Sequence, residues 1–169
     1  MMQDPASMLP PHLMEPKAGE WILDVCAAPG GKTTHVAALT GGRARIVACD
    51  ARVQRLRQVR ENVERMECPG IHLVAADGRR PPCAPGFQRV LVDAPCSGLG
   101  TVRRHPDLKY RVSERDIAEL AALQRELLRS AIGVCDNEGV VVYSVCTFTP
   151  EETEQVIDSV LADEPVALE

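Results

Sequence analysis

The sequence predicts an α/β fold, a mostly parallel sheet with helices on both faces. Apolar strand segments alternate with segments of helical periodicity, in the order β-α-β-α-β-β-α-β-α. The strand segments are apolar throughout, as is typical of strands buried on both faces. The first strand, at residues 21–25, leads through two glycines into a helix that begins at Lys32. Such a strand-turn-helix unit is typical of the start of a doubly wound sheet.

The chain begins with a predicted short helix near Gln3. Asp4 can cap this helix, Pro5 suits its first position, and Pro10 and Pro11 are expected to end it. Apolar residues then mark five strands. These strands are predicted at residues 21–25, 45–49, 71–75, 89–92 and 140–145.

Helical periodicity and capping signals mark the helices between these strands. The signals include a valine and leucine stripe, a capping box at Ser113 and Asp116, and a capping threonine, Thr149, followed by proline. The predicted helices cover residues 32–39, 52–66, 114–134 and 150–164. A turn at residues 137–139 is expected to separate the longest helix from the fifth strand.

Length and composition are those of one ordinary globular domain. The chain has 169 residues, of which 45% are hydrophobic and 25% charged, and its net charge is -5. No apolar run reaches the roughly 20 residues that a membrane span needs. The seven cysteines are scattered without metal-ligand spacing. They predict reduced thiols, a cytoplasmic location, and neither disulfides nor a metal site.

Aspartates stand at the ends of several predicted strands. Asp50, Asp77 and Asp93 follow the second, third and fourth strands, and Asp24 lies near the end of the first. Because the carboxyl ends of parallel strands converge on one crevice, these carboxylates are expected to lie there. A carboxylate after the second strand can accept both hydroxyls of a ribose. Aspartate is also a common turn residue, but three beside a glycine turn favour a nucleoside-type ligand.

The glycine turn leaves a second interpretation open. Lys32 and Thr33 match the end of a P-loop, and the apolar strand before Asp93 resembles the metal-holding strand that accompanies it. However, Cys26 stands where that motif needs glycine, and Pro29 removes one backbone N–H from the phosphate cradle. Phosphate binding therefore stays an alternative. The G-x-G-x-x-G pattern of nicotinamide enzymes is not present, so a dehydrogenase is not expected.

Two cysteines stand at the ends of predicted strands. Cys96 follows the fourth strand, and Cys146 follows the fifth. Adjacent strands lie about 5 Å apart, so both thiols can face one crevice. A free cysteine is more often a small buried hydrophobe, an interpretation that suits Cys26, Cys49 and Cys135. At a ligand crevice, however, a thiolate can act as a nucleophile.

Three segments together resemble a known family. Residues 26–32 read Cys-Ala-Ala-Pro-Gly-Gly-Lys, residues 93–98 read Asp-Ala-Pro-Cys-Ser-Gly, and residues 143–147 read Tyr-Ser-Val-Cys-Thr. In this order they resemble the RNA cytosine-5 methyltransferases that use S-adenosylmethionine. Residues 3–7 and 101–109 point to the bacterial rRNA branch, the RsmB (Sun/Fmu) family. The resemblance implies a Rossmann-like S-adenosylmethionine-dependent methyltransferase fold.

The resemblance also implies which residues hold the cofactor. The glycine turn would wrap the methionine end of S-adenosylmethionine. Asp50 would hold the ribose hydroxyls, Asp77 would meet the adenine, and Asp93 would lie near the methionine amino group and the target base. The turn residues implied in this role are Cys26, Ala27, Ala28, Pro29, Gly30, Gly31 and Lys32.

The implied chemistry explains why two thiols are needed. Cys146 would be the nucleophile, because attack of its thiolate on C6 of cytosine enables C5 to accept a methyl group. Cys96 would help to release the product. The target base must be single-stranded or flipped out of a duplex. Arg103, Arg104 and Lys109 are then candidates for contacts with the phosphates of the rRNA substrate.

The sequence departs from the family pattern in its extent and at one position. Family members carry an N-terminal RNA-binding domain, which we do not expect within residues 1–169. We expect these residues to form the catalytic domain alone, without the final edge strands of the sheet. Val145 precedes the implied nucleophile where many relatives have threonine. A non-catalytic module that binds cofactor or RNA is the alternative function.

Overall fold

The computed structural model describes residues 4–168, so Gln3 of the predicted helix start lies outside the described residues. The strands are β1 (Trp21–Asp24), β2 (Arg45–Asp50), β3 (Ile71–Ala75), β4 (Phe87–Asp93) and β5 (Cys135–Ser144). The α-helices are α1 (Pro5–Leu13), α2 (Gly31–Leu39), α3 (Val53–Arg65), α4 (Leu108–Arg111), α5 (Glu114–Val134) and α6 (Glu154–Asp163). Within residues 4–168, every helix is too short or too polar to cross a bilayer.

The five strands that the structure describes form one sheet in the order β3-β2-β1-β4-β5, with parallel pairing throughout. Alternate residues of its central strands enter different clusters. Leu23 and Val90 pack with Leu127 of α5, whereas Ile22 and Leu91 pack with residues of α2. The predicted parallel sheet with helices on both faces is therefore confirmed, and covering both faces explains why its strands lack polar alternation.

The strand order reverses between β1 and β4, and this reversal positions the site. The chain runs outward from β1 through β2 to β3, and then returns to place β4 and β5 on the other side of β1. A crevice opens at such a switch point, beyond the carboxyl ends of the strands. The turn after β1 and the loops after β4 and β5 therefore lie side by side.

The first helix extends beyond its predicted end. Pro10 and Pro11 do not terminate α1, which continues to Leu13. A proline inside a helix forfeits one backbone hydrogen bond, but both rings are buried here, and Met14 directly after the helix is fully buried. Packing of these apolar side chains therefore outweighs the lost hydrogen bonds. Asp4 caps the helix as predicted, since its Oδ1 accepts the N–H of Ala6 at 2.9 Å.

The predicted turn before the fifth strand is wrong. Residues 137–139 belong to β5, which begins at Cys135 and ends one residue earlier than predicted. Phe87 pairs with Cys135, but Arg89 pairs with Val140, so β5 contains extra residues at this point. These residues form an irregularity within the strand because the sheet resumes pairing on both sides of them.

The segment after β4 contains more helix than predicted. A single 3₁₀ turn, Leu99–Thr101, precedes residues 102–111, which we call the basic segment, and α4 lies within that segment. The last helix is also divided, because a 3₁₀ turn at Pro150–Glu152 precedes α6. The division places Glu152 beneath the loops that follow β4 and β5, where its side chain is fully buried.

Candidate active site

The turn after β1 is held from two sides. Ala27 donates its N–H to a carbonyl of β2 at 2.8 Å. From α3, Arg55 Nη2 donates to the Ala28 carbonyl at 2.9 Å, and Asn62 Nδ2 donates to the Pro29 carbonyl at 2.6 Å. Hydrogen bonds with β2 and with α3 therefore anchor the turn.

Gly30 closes this turn and cannot be replaced without strain. Its φ is 99°, in the left-handed region that favours glycine. A Cβ at this position would also lie 3.1 Å from Cα and Cγ1 of Val59 on α3. The glycine therefore permits both the reversal of the chain and the close approach of α3. Gly31 follows as the first residue of α2.

Lys32 links the turn to the end of β4. Its Nζ lies 2.6 Å from Oδ2 of Asp93. The other carboxylate oxygen of Asp93 accepts a hydrogen bond from Ser144 Oγ, at the end of β5, at 2.7 Å. Such a partly exposed ion pair adds little stability. Its effect is to fix an ammonium and a carboxylate at the point where three strand ends meet.

Asp24 is a buried carboxyl group at the same edge. It is 2% exposed, and its Oδ2 accepts a hydrogen bond from Thr33 Oγ1 at 2.6 Å. Its Oδ1 has no hydrogen-bond partner among the described residues. Burial raises the pKa of Asp24 to about 7, opposed by the Thr33 hydrogen bond and assisted by the charge of Asp93. A buried acceptor without a partner fits a ligand that donates hydrogen bonds.

Asp50 and Asp77 have different surroundings. Asp50 is buried, and its Oδ1 accepts the N–H of Arg52 at 2.9 Å, while its Oδ2 lies 3.5 Å from Arg55 Nη1. Asp77 is exposed, and both of its oxygens accept hydrogen bonds from Arg79, at 2.7–3.0 Å. Asp77 lines a cavity of about 600 Å³ beside α5. The structure does not place Asp77 among the residues that line the cavity at Cys146.

Cys26 lies near the strand-end carboxylates other than Asp77. Burial raises the pKa of its thiol, and the charges of Asp24, Asp50 and Asp93 raise it further. The Cys26 thiol is therefore protonated near neutral pH. Cys49 is fully buried, and burial raises its pKa to about 12. Both results agree with the interpretation of these two cysteines as small apolar residues.

Cys96 and Cys146 lie in contact. Their Sγ atoms are 3.1 Å apart, and the N–H of Cys146 lies 3.2 Å from Cys96 Sγ. The contact arises because β4 and β5 are adjacent strands. Asp93 pairs with Ser144, so the loops that follow the two strands leave the sheet side by side. All seven cysteines are free thiols. The two thiols thus lie together as their positions on adjacent strands predict, while their catalytic roles stay a prediction.

The two thiols differ in acidity. The hydrogen bond with Cys96 lowers the pKa of Cys146 to about 7, and the charge of Lys32 assists, although burial and Asp93 oppose this shift. The same hydrogen bond and burial raise the pKa of Cys96. As the pH rises through neutrality, Cys146 therefore ionises before Cys96, which then donates the hydrogen bond. A thiolate is the form of cysteine that acts as a nucleophile.

A cavity of about 540 Å³ opens at these groups. Its lining includes Lys32, Asp93 and Cys146, together with residues of α1 and of the basic segment. Gly100 belongs to this lining and donates its N–H to the carbonyl of Cys146 at 3.0 Å. A Cβ on Gly100 would lie 2.9 Å from that carbonyl oxygen, so glycine permits this close approach.

The basic segment contributes two of the predicted cations to this cavity. Arg103 and Arg104 both line it. Arg104 Nη1 lies 2.6 Å from Oδ2 of Asp4, which joins the basic segment to the start of α1. Lys109 is exposed, with its Nζ 4.7 Å from the ring centre of Tyr110. The structure therefore brings both arginines, but not Lys109, into the cavity lining.

Sequence reasoning missed the residues that hold the two thiol loops. Ser97 Oγ lies 2.8 Å from Thr147 Oγ1, which links the two loops directly. The side chain of Glu152 forms hydrogen bonds with residues of both loops. The side chain of Gln124 forms hydrogen bonds with Glu152 and with the loop after β4. In the sequence, Glu152 has the appearance of an acidic residue in the first turn of a helix. Its spacing from Thr149 fits a capping pair, but only the fold shows that it is buried.

Residues 11–168 match the family model described as 16S rRNA methyltransferase RsmB/F. Ribosomal RNA small subunit methyltransferase B of Yersinia pseudotuberculosis serotype O:1b (strain IP 31758) is 43% identical over 98% of this chain. The protein of the same name from Yersinia pestis is also 43% identical over 98% of the chain. The chain spans 39% of the length of each of these relatives.

Solved structures show the same arrangement of elements. NSun6 from Pyrococcus horikoshii, determined with SFG, superposes with a TM-score of 0.88 and 36% identity over 95% of this chain and 41% of that protein. A methyltransferase homolog protein from Pyrococcus horikoshii gives a TM-score of 0.85 and 34% identity, over 96% of this chain and 51% of that one. TrmN from Thermus thermophilus, at 20% identity and a TM-score of 0.67, shares the fold.

Proposed function

This chain belongs to the 16S rRNA methyltransferase RsmB/F family, and from that premise we propose that it carries the catalytic part of an enzyme that methylates C5 of a cytosine in small-subunit rRNA. The observation that carries this proposal is the contact of Cys96 and Cys146, 3.1 Å apart, beside a cavity of about 540 Å³. An acidic thiol beside a protonated thiol supports covalent catalysis on a base. We place the activity in the cytoplasm, where thiols stay reduced.

The family uses S-adenosylmethionine, and the turn after β1 fits that cofactor. Bound there, S-adenosylmethionine supplies an activated methyl group on a sulfonium. The unpartnered Oδ1 of buried Asp24 suits an ammonium donor. Asp50 is buried at the end of β2, where a carboxylate accepts ribose hydroxyls. The residues that we propose to hold the cofactor are Cys26, Ala27, Ala28, Pro29, Gly30, Gly31, Lys32, Asp50, Asp77 and Asp93.

The adenine role that we propose for Asp77 requires a carboxylate that Arg79 already binds. Arg79 donates four hydrogen bonds to it, three from its side chain and one from its backbone N–H. Its pKa is lowered by these hydrogen bonds, so it is ionised at neutral pH. An adenine amino group would therefore have to share the carboxylate with Arg79 or displace it.

Cys146 supplies the nucleophile in the proposed reaction. Its thiolate adds to C6 of the cytosine, which moves electron density onto C5 and makes that carbon able to form the bond to the methyl group. Lys32 assists because its charge favours the thiolate. After methylation, a base takes the C5 proton, the electron pair of that C–H bond re-forms the C5–C6 double bond, and the bond between Sγ and C6 breaks to return the Cys146 thiolate. Cys96, in contact with Cys146 Sγ, is the group that we propose to assist this release.

RNA reaches this site through the basic segment. Arg103 and Arg104 line the cavity, and Lys109 is exposed nearby in sequence. Arginine and lysine at such positions contact phosphates and set the register of a nucleic acid without reading its sequence. The target cytosine must leave its stack to enter the cavity, because neither face of a stacked base can be reached by a thiol.

Replacement of Cys146 by alanine tests the nucleophile. We expect C146A to lose methyl transfer to small-subunit rRNA while calorimetry still detects binding of S-adenosylmethionine and none of ATP. C68A is the matched control, because Cys68 is a half-buried thiol on the loop before β3. Loss of cofactor binding in a folded C146A would contradict the assigned role. Cofactor binding without turnover in the unaltered chain would favour a non-catalytic module.

Replacement of Cys96 tests the release step separately. We expect C96A to accumulate a covalent complex with RNA that migrates slowly on a denaturing gel, because the Cys146 adduct forms but is not resolved. The double variant C96A/C146A should form no such complex, since it lacks the attacking thiol. If C96A forms no complex yet retains turnover, Cys96 is a structural thiol.

A further inference from the structure

The two thiols lie on loops that regular sheet pairing does not fix. The last paired residues of β4 and β5 are Asp93 and Ser144. Cys96 and Cys146 both lie beyond that pair, and they are 50 positions apart in the sequence. The 3.1 Å contact of their Sγ atoms therefore depends on side chains that hold the loops together.

Glu152 makes the contacts that can hold both loops. Its Oε1 accepts the N–H of Ser97, the residue after Cys96, at 2.8 Å. Its Oε2 accepts a hydrogen bond from Thr149 Oγ1, three residues after Cys146, at 2.9 Å. One rigid carboxylate group thus binds both loops, with one oxygen on each side.

Gln124 of α5 completes this arrangement. Its Nε2 donates to Oε1 of Glu152 at 2.9 Å and to the carbonyl of Pro95, the residue before Cys96, also at 2.9 Å. Tyr143 of β5 donates its hydroxyl to the carbonyl of Glu152 at 2.7 Å. Glu152 is therefore tied to the longest helix through its carboxylate and to the last strand through its backbone carbonyl.

The chemistry of Glu152 suggests a role beyond filling space. The side chain is fully buried, and among the described residues no lysine, arginine or histidine lies within ion-pair distance of it. Burial acts to raise its pKa, yet hydrogen bonds from Ser97, Gln124 and Thr149 outweigh burial and lower it. A buried charge without a counterion is costly, so a neutral residue would suffice if only packing were required.

We propose that Glu152 is a positioning residue that keeps Cys96 and Cys146 in contact by bridging the loop after β4 to the loop after β5. Glu152 is not among the residues that line the cavity, and it has no exposed surface for a substrate. It therefore acts through the two thiols. The geometric part of this proposal stands on the contacts alone, whereas its effect on methyl transfer rests on the proposed function.

The substitution E152M tests this bridge. Methionine has about the same length, but its thioether accepts hydrogen bonds only weakly, so both Ser97 and Thr149 lose their acceptor. E151M is the matched control, because Glu151 is exposed, adjacent in sequence and carries the same charge. Circular dichroism of each variant shows whether the fold is retained.

The first measurement reports the distance between the thiols. Dibromobimane alkylates two neighbouring thiols in turn, forming two carbon–sulfur bonds and releasing two bromide ions. The peptides carrying Cys96 and Cys146, identified by mass spectrometry, give the yield of bridged product. We expect the yield in E152M to fall about tenfold, and the yield in E151M to match that of the unaltered chain.

The second measurement reports the hydrogen bond between the thiols. With the loops apart, the pKa of Cys146 rises from about 7 toward its ordinary 9.0, so its alkylation by iodoacetamide at pH 7 slows by about tenfold or more. Methyl transfer to rRNA should lose kcat by about 100-fold with little change in KM for S-adenosylmethionine. A merely destabilised variant would not move the pKa of Cys146 while folded.

A folded E152M with an unchanged bridging yield and an unchanged pKa of Cys146 would overturn the proposal. If E152M does not fold, T149V decides, because it removes only the hydroxyl donor to Oε2 and should change both measurements in the same direction by a smaller factor. If both measurements change as expected but the unaltered chain shows no methyl transfer, the bridge is supported and the proposed function fails. The two failures are therefore distinguishable.

Discussion

Replacement of Cys96 by alanine should raise the pKa of Cys146, and the size of the rise can be worked out from the structure. The hydrogen bond from Cys96, at an Sγ–Sγ distance of 3.1 Å, is the main cause that lowers the pKa of Cys146 from 9.0 to about 7. In C96A that donor is lost, while Lys32 and Asp93 remain in place. The pKa of Cys146 should therefore rise.

The size of the effect follows from the thiolate fraction at neutral pH. With a pKa of about 7, about half of Cys146 is thiolate at pH 7, whereas with the ordinary value about 1% is. The alkylation rate should thus fall by at most about 50-fold. Cys146 is exposed, so water replaces part of the lost hydrogen bond, and we expect a fall of about tenfold.

The assay is alkylation of Cys146 by iodoacetamide, followed by mass spectrometry of its peptide, across about pH 6 to 10, which extends about one pH unit beyond the two limiting pKa values. C135A is the control, because Cys135 is a half-buried thiol at the far end of β5. The midpoint for Cys146 should move to higher pH in C96A and stay in C135A. An unchanged or lower midpoint in C96A would refute the assignment of Cys96 as the donor.

Three further substitutions test the scaffold around the site. G30A should lower the free energy of unfolding by about 2 kcal/mol, measured by urea denaturation, because its φ is 99° and its Cβ would meet Val59. G100A should reduce methyl transfer by about tenfold or more with cofactor affinity retained, because its Cβ would lie 2.9 Å from the Cys146 carbonyl oxygen. S113A should cost about 1 kcal/mol of stability, seen as a lower melting temperature, and leave methyl transfer unchanged, since Ser113 caps α5 away from the cavity.

The features that the sequence could predict are those that depend on neighbours along the chain. Apolar runs and glycines predicted the strands and the turn after β1, and the predicted β3 has the observed bounds. The contact of Cys96 with Cys146 was also predictable, because parallel strand ends meet at one edge. The bounds of β5 were not, since Asn137 has high turn propensity and lies in an irregularity between two pairs, Phe87 with Cys135 and Arg89 with Val140.

The burial of Glu152 could not be predicted for a related reason. Glu151 and Glu152 are adjacent acids in the same 3₁₀ turn, and only the spacing of Glu152 from Thr149 fits a capping pair. One is exposed and the other fully buried because the turn packs against the loops after β4 and β5. The capping spacing does not predict burial, which only the tertiary structure determines.

The fold also determines which of two identical side chains is the more acidic. When two thiols share one hydrogen bond, ionisation of either makes the other its donor, so the contact alone does not choose between them. The asymmetry comes from their surroundings: Cys146 is exposed whereas Cys96 is half-buried, and burial opposes the thiolate of Cys96. Lys32, in the first turn of α2, pairs with Asp93 at 2.6 Å. The charge of Asp93 raises the pKa of Cys146 and that of Lys32 lowers it, so this ion pair couples the geometry of the proposed cofactor turn to the acidity of Cys146.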